Sequence, residues 1–177
     1  MPYCSPMAPV VELREHRPGD EDAIVAWAAS PAVTRYLTFG PMDVGQVDSW
    51  LADVIAQADE VPRRDWTFAA TADGQLAGCV VVSTDSAEHR RAEVGFAIAP
   101  EHWRRGIASR AVGLAVTKAL GELGLHRLWA VCDPNNIGSQ RVLESAGFVR
   151  EGRLRDDLRL DGVWRDSLVY GVLRDDL

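Results

Sequence analysis

The fold is decided by residues 92–132, which read AEVGFAIAPEHWRRGIASRAVGLAVTKALGELGLHRLWAVC. Residues 92–99 alternate between an apolar face and a face that carries Glu93, Gly95 and Ala97, which is typical of a β-strand. Ile107 to Leu123 then has apolar residues at helical spacing, and a glycine follows as a stop signal. The next eight residues, 125–132, are strand-like again. This order predicts a parallel strand pair joined by a right-handed crossover.

The sequence before this unit predicts two helices and three strands. Asp43 and Gln46 have the spacing of a capping box, and Asp73-Gly74 between two strand-like runs is a strong hairpin signal. The predicted elements are a strand over Val10–Arg14, a helix from Asp20 to about Ala29, a helix that begins at Asp43, and strands over Trp66–Thr71 and Leu76–Ser83.

The sequence after the unit predicts a further helix and a second hairpin. Asn135 or Asn136 can cap a helix that runs to Ala146, and Gly147 fits a left-handed cap. Two long strands, Arg153–Leu160 and Val163–Leu173, follow on either side of Asp161-Gly162. Residues 1–177 are therefore predicted to form a single α+β domain with a mostly antiparallel sheet.

The length and composition of the chain limit the kinds of partner that it can bind. The chain of 177 residues is long enough for one core, and its 19 Lys plus Arg against 26 Asp plus Glu give a net charge of -7. This balance argues against nucleic acid and suits a cationic partner. The sequence has no apolar run of membrane-spanning length, and Cys4, Cys79 and Cys132 lack metal spacing, so we expect reduced thiols in the cytoplasm. The four histidines have no metal spacing either, and no metal is expected.

The turn between strand and helix, Pro100 to Ser109, has features that favour the binding of an anion. The first N–H groups of a helix point outward at its positive end, and Gly106 lets a ligand approach the backbone beside Arg104 and Arg105. The plain alternative is that Gly106 relieves a tight turn and that both arginines are solvated. Taken alone, the turn favours that alternative.

The surroundings of the turn change this interpretation. Residues 92–148 resemble the core of the GNAT acetyltransferase superfamily, whose turn signature is matched by Gly106 and Ala108 and altered by Trp103 at its first position. A tryptophan there is common in the branch of ribosomal-protein N-terminal acetyltransferases. The resemblance extends to residues 136–148 (NIGSQRVLESAGF), 151–155 (EGRLR), 161–166 (DGVWRD), and 33–37 (VTRYL). It implies a splayed sheet within three layers, α/β/α.

The resemblance also implies a set of cofactor contacts for acetyl-CoA. The backbone of Phe96, Ala97 and Ile98 would pair with the pantetheine arm, and Asn136 and Ser139 would lie beside the thioester. The pyrophosphate would be held by the turn residues Arg104, Arg105, Gly106, Ile107, Ala108 and Ser109. For Asn136 the alternative is a helix cap, and for Ser139 a first-turn residue; both roles can coexist.

Catalytic residues are harder to choose. Glu93 is the first candidate base, with a surface pair to Arg91 as its alternative, and Asp157 is the second. Many GNAT enzymes use a tyrosine as proton donor where this chain has Leu143, so Ser139 is the predicted donor or oxyanion contact. Tyr170 is a further candidate donor.

The function implied by the resemblance is transfer of an acetyl group from acetyl-CoA to a primary amine, foremost a protein N-terminal α-amine. A small amine such as an antibiotic or metabolite, and a non-catalytic CoA-binding module, are the alternatives. We expect a monomer or homodimer that acts without nucleic acid or membrane. Residues 33–44 and the hairpin at Asp161 are expected to flank the amine entrance.

Overall fold

The computed structural model describes residues 8–160 and 162–176, so Cys4 and Asp161 lie outside the described residues. The strands are β1 (Val11–Glu15), β2 (Asp65–Ala72), β3 (Gln75–Ser86), β4 (Arg91–Ile98), β5 (Arg127–Cys132), β6 (Val149–Leu160) and β7 (Val163–Leu173). The helices are α1 (Glu21–Ala28), α2 (Pro31–Thr34), α3 (Val44–Gln57), α4 (Ile107–Thr117) and α5 (Ile137–Ser145).

The seven strands form one mixed sheet in the order β1-β2-β3-β4-β5-β7-β6. Every neighbouring pair is antiparallel except β4 and β5, which are parallel. The predicted α+β class, the parallel pair and the mostly antiparallel sheet are confirmed.

The parallel pair opens soon after it begins. Only three register pairs join the strands, and the last joins Glu93 to Trp129. Beyond it β4 continues to Ile98 and β5 to Cys132 without pairing to each other. The splay predicted for the sheet is therefore present, and it leaves one edge of β4 free.

Helices cover both faces of the sheet. One core lies between the sheet and helices α4 and α5, and the other lies between the sheet and helices α1 and α3. The first includes Val80, Val82, Ile107, Val112, Val116, Leu128, Leu143 and Tyr170. The second includes Ile24, Trp27, Val47, Leu51, Cys79, Ala97 and Ala99. Because Glu93 shares its strand face with Ala97, it points towards the side of α1 and α3.

The capping box, the first hairpin turn and the glycine helix end that the sequence predicts are all present. Asp43 accepts from the Gln46 N–H at 2.9 Å while Gln46 Oε1 accepts from the Asp43 N–H, which completes the capping box. Asp73 and Gly74 have φ values of 51° and 80° and join β2 to β3. Gly147, with φ of 92°, ends the helical segment after α5.

Several observed boundaries differ from the predicted ones. Helix α4 gives way at Lys118–Glu122 to a wider π-helical turn, and β5 begins at Arg127 because the Leu125 N–H still bonds to that turn at Ala119. Strand β6 begins at Val149, since its first residues pair with the end of β7. The short helix α2 was not predicted. None of the described helices is long and apolar enough to cross a membrane.

Candidate active site

A cavity of about 690 Å³ opens beside the free edge of β4. All the predicted cofactor residues except Arg105 line it, namely Phe96, Ala97, Ile98, Arg104, Gly106, Ile107, Ala108, Ser109, Asn136 and Ser139. The other lining residues come from α2 and its C-terminal end, from the turn before α4, and from α5. They are Ala32, Val33, Arg35, Tyr36, Leu37, His102, Trp103, Gly138, Arg141 and Val142.

The turn that precedes α4 has two left-handed residues. Arg104 has φ of 60° and Gly106, the N-cap, has φ of 73°, a conformation that costs a residue with a Cβ. No side chain among the described residues caps this helix, so its first N–H groups remain available to a ligand. Alternating backbone conformations of this kind make an anion-binding concavity. The geometry fits a pyrophosphate.

Trp103 supports this turn from inside the cavity. Its Nε1–H donates to the carbonyl oxygen of Ile98 at 2.6 Å, so the indole ties the turn to the last residue of β4. This contact gives the altered first position of the signature a structural role. Sequence reasoning placed Trp103 in the turn but did not assign it that bond.

The two arginines of the turn point in different directions. Arg104 lines the cavity. Arg105 instead lies with Nη2 3.9 Å from Asp73 Oδ2 and Nη1 3.4 Å from His102 Nδ1, next to the β2–β3 hairpin. Of the two predicted phosphate ligands, only Arg104 lines the cavity.

Asn136 and Ser139 meet at the start of α5. Asn136 Oδ1 accepts from the Ser139 N–H at 3.1 Å, which caps the helix and leaves the Asn136 amide N–H₂ directed elsewhere. The Ser139 hydroxyl makes no hydrogen bond to any described residue and is half-buried in the cavity wall. Both residues therefore combine a structural role with a place in the cavity.

Tyr36 is a cavity residue to which sequence reasoning assigned no chemistry. Its hydroxyl lies 3.5 Å from the carbonyl oxygen of Asn135, at the end of the cavity where α5 begins. The signal for it was its place in the motif at residues 33–37. The phenol is a further O–H group in the same cavity as Ser139.

Glu93 lies at the last paired position of β4 and β5, where the two strands separate, and it does not line the cavity. It is half-buried, and burial, followed by the negative charge of Asp85, raises the pKa of its carboxyl. Arg91, its predicted surface partner, pairs instead with Asp85 at 2.8 Å, and Trp129 Nε1 also donates to Asp85. Glu93 is thus a partly buried carboxylate without a cation partner among the described residues.

Asp157 and Tyr170 lie apart from the cavity. Asp157 is exposed in a separate open depression on the β6–β7 hairpin, together with Asp156 and Asp166. Tyr170 is fully buried, and its hydroxyl donates to Glu144 Oε1 at 3.3 Å. Burial, with smaller contributions from Cys132 and Glu144, raises the pKa of this phenol.

Cys132 and Cys79 are buried free thiols. Burial first, and then the charge of Asp133, raises the pKa of Cys132 to about 11, so it stays protonated at neutral pH. Burial also raises the pKa of Cys79 to about 12. This environment fits a packing role for Cys132 better than that of an acyl carrier.

The family model described as "Acetyltransferase (GNAT) domain" matches residues 11–149. The chain is a GNAT acetyltransferase. The predicted family, fold and enzyme class are confirmed.

Three relatives illustrate the range within this GNAT group. YoaA, an uncharacterized N-acetyltransferase of Bacillus subtilis, is 33% identical over 174 residues, or 95% of this chain and 98% of YoaA. YdaF of the same organism, a candidate ribosomal N-acetyltransferase, is 34% identical over 58% of this chain and 56% of its own. The spermidine N(1)-acetyltransferase of Escherichia coli is 32% identical over 62% of this chain and 58% of its own.

Solved GNAT structures place CoA in the same fold. Mycobacterium smegmatis RimJ in complex with CoA-disulfide superposes with a TM-score of 0.81 at 28% identity, covering 96% of this chain and 85% of RimJ. A CoA-binding neighbour at this level agrees with the cavity beside β4.

Proposed function

We propose that this enzyme transfers the acetyl group of acetyl-CoA to the α-amine at a polypeptide N-terminus. The observation that carries the proposal is the single cavity that brings the uncapped N-terminus of α4 together with Asn136, Ser139 and Tyr36. The likeness to YdaF supports a ribosomal or other protein acceptor. We place the reaction in the cytoplasm, in a monomer or homodimer.

We place the cofactor in the cavity with its pyrophosphate at the turn before α4. In this placement the N–H groups of residues 104–109 and the Arg104 side chain bind the pyrophosphate, and the free edge of β4 from Phe96 to Ile98 pairs with the pantetheine arm. Asn136 and Ser139 then flank the thioester at the start of α5. Arg105 contributes positive charge near the turn without touching the cavity.

The amine must be neutral before it attacks. An α-amine with a pKa near 8 releases its proton far more readily than a lysine with a pKa of about 10.4. We assign that proton to Glu93 through a water relay, because Glu93 does not line the cavity itself, and it is half-buried without a cation partner among the described residues. Asp157 is the second candidate base, although it lies in the hairpin depression.

The remaining step releases CoA. The amine nitrogen bonds to the thioester carbon, the C–S bond breaks, and the sulfur takes a proton. We assign that proton to the Ser139 hydroxyl, with Tyr36 as the second candidate in the same cavity. Tyr170 does not line the cavity, and its hydroxyl already donates to Glu144.

A small amine is the second candidate acceptor, because the spermidine N(1)-acetyltransferase of E. coli is also a relative. The test is CoA release from acetyl-CoA with N-terminal peptides, spermidine and free amino acids, confirmed by mass spectrometry of the acetylated product. We expect acetylation of a peptide α-amine. CoA binding without transfer to any amine would contradict the enzymatic proposal, and transfer to spermidine above all peptides would replace the peptide acceptor.

A further inference from the structure

We propose that Arg35 selects acceptors in which a carboxylate lies close to the reacting amine. The inference rests on the proposed function and specifies the substrate of that same site. It follows from the charge of the cavity wall, the place of Arg35 in it, and the contacts of the guanidinium.

The wall of the cavity carries only positive charge. Its charged lining residues are Arg35, Arg104 and Arg141, and no Asp or Glu of the described residues lines it. A wall of this kind suits the phosphates of CoA, but it is unsuited to a polycation, because like charges brought together in a cleft repel. An acceptor with several ammonium groups would need carboxylates there.

Arg35 lies away from the end of the cavity where the phosphates of CoA are proposed to bind. Its own carbonyl accepts from Arg165 Nη1 at 3.4 Å, and its neighbour Tyr36 reaches the carbonyl of Asn135 at 3.5 Å. Both contacts are with β7 and with the loop before α5, whereas Arg104 belongs to the turn before α4. The Arg35 segment thus borders the end of the cavity where Ser139 lies and where the thioester is proposed to lie.

The Arg35 guanidinium has no anionic partner among residues 8–160 and 162–176. It lies 5.2 Å from the centre of the Tyr36 ring, and the residue is exposed. The carboxylate that pairs with Arg165 is already engaged, since Asp133 Oδ2 lies 3.5 Å from Arg165 Nη1 and Asp133 Oδ1 accepts from the Asn135 N–H at 2.7 Å. The positive charge of Arg35 is therefore not compensated within the described structure.

A guanidinium held in this way suits a carboxylate, because its planar N–H donors match the two oxygens. The Arg165 contact fixes the backbone from which the side chain extends, so an acceptor carboxylate would be bound while its amine lies near the thioester. Two sources share this chemistry: an acidic side chain in the first residues of a polypeptide, and the carboxylate of a free amino acid.

The experiment compares three peptides that differ only at the second residue, which is Glu, Gln or Lys, together with free glutamate and spermidine. For the wild-type enzyme we expect kcat/KM to fall from the Glu to the Lys peptide by about tenfold, as expected for gain and loss of one charge-assisted contact. Arg35→Glu should reverse that order, and Arg35→Met should flatten it. Arg64→Glu, which makes the same charge change at an exposed arginine outside the cavity, should leave the order unchanged.

The results distinguish the two carboxylate sources, and they separate failure of the Arg35 proposal from failure of the proposed function. A preference for free glutamate over every peptide would support the role of Arg35 and overturn the polypeptide acceptor. The same acceptor order in wild type and Arg35→Glu, or an equal rise in KM for acetyl-CoA with every acceptor, would overturn the inference alone. No transfer by the wild type to any amine would overturn the proposed function first. Circular dichroism of all variants checks that they are folded.

Discussion

The indole Nε1–H of Trp103 donates a 2.6 Å hydrogen bond to the carbonyl oxygen of Ile98. It joins the turn proposed to bind the pyrophosphate to the strand edge proposed for the pantetheine arm, although Trp103 is 44% exposed while Ile98 is buried. The GNAT signature has Gln or Arg at this position. A long planar donor at the first position of the turn can hold the turn against β4, and the tryptophan does so with one N–H.

Trp103→Phe should therefore weaken CoA binding and leave turnover nearly unchanged. The ring is kept while the N–H is lost, and a single hydrogen bond of this kind contributes about 1 kcal/mol, or about fivefold in Kd. Calorimetric titration with CoA measures the change. Trp164→Phe, at an exposed tryptophan on β7, is the control, and equal Kd values for both variants would contradict the role of Trp103.

The left-handed Gly106 gives a second prediction. Gly106→Ala places a Cβ at φ of 73°, which costs roughly 1–2 kcal/mol if the turn keeps its shape, so the turn is expected to rearrange. We expect KM for acetyl-CoA to rise by about tenfold, equivalent to about 1.4 kcal/mol, and the protein to lose stability. Gly113→Ala is the matched control, because it lies inside α4 with open space around it and should stabilise the helix. If the two variants behave alike, the turn does not bind the cofactor.

The proposed role of Glu93 as base predicts that the rate depends on pH. Burial and Asp85 raise its carboxyl pKa above the ordinary value of 4.5, and a base works only when deprotonated. The rate should fall as pH drops through that raised pKa, in addition to the limb near pH 8 that belongs to the α-amine. Asp85→Asn should move the lower limb to more acidic pH because it removes the repulsion.

Glu93→Gln should abolish the lower limb and reduce kcat. The measurement is kcat/KM from acid to alkaline pH, with Glu88→Gln at an exposed loop position as control. A lower limb that persists unchanged in Glu93→Gln would transfer the role to another group, and the same experiment with Asp157→Asn would then test the second candidate.

Ser139 allows chemistry to be separated from helix capping. The capping bond uses the backbone N–H of Ser139, so Ser139→Ala keeps it and removes only the hydroxyl. Loss of a proton donor should lower kcat by about a hundredfold, with little change in KM for acetyl-CoA. Asn136→Ala is the contrasting variant, since it removes the cap and should cost about 1 kcal/mol of stability. Full turnover in Ser139→Ala would leave Tyr36→Phe as the next variant to assay.

The features that could be predicted from the sequence are those that depend on neighbours along the chain. The Asp43 capping box and the Asp73-Gly74 hairpin follow from adjacent residues, and the turn around Gly106 follows from its place between strand and helix. The directions of Arg104 and Arg105 could not be predicted, because they depend on the left-handed φ of Arg104.

Contacts between segments that are distant in the sequence could not be predicted either. Tyr36 meets Asn135 across 99 positions, and Arg165 meets Arg35 across 130. Nothing in the periodicity of either segment specifies its partner, because such contacts depend on how α2, β7 and the loop before α5 are packed together. Tyr36, the second candidate proton donor, and Arg35, the proposed acceptor contact, belong to this class.

His16 gives a prediction about stability rather than catalysis. Its side chain is fully buried, its ring packs edge-on against Trp50 at 5.4 Å, and Nδ1 lies 3.5 Å from Asp20 without a hydrogen bond. Burial lowers the pKa of this imidazole, against the opposing charge of Asp20 and with a smaller effect of Arg14 in the same direction. Asp20 is itself held by Arg14 through two 2.7 Å bonds.

Because the folded-state pKa of His16 lies below the unfolded value of 6.5, the unfolded chain binds more protons between the two values. The contribution of His16 to the free energy of unfolding should therefore decrease as pH falls below about 6.5, and this loss continues down to the folded-state pKa. Asp20, whose pKa is lowered by the Arg14 hydrogen bond although burial opposes it, contributes only at more acidic pH, below 3.8. Urea unfolding at pH 5 and pH 7 should show a smaller pH effect in His16→Phe than in wild type, while His89→Gln, at an exposed histidine, keeps the wild-type effect. An equal pH effect in wild type and His16→Phe would show that His16 titrates alike in the folded and unfolded states.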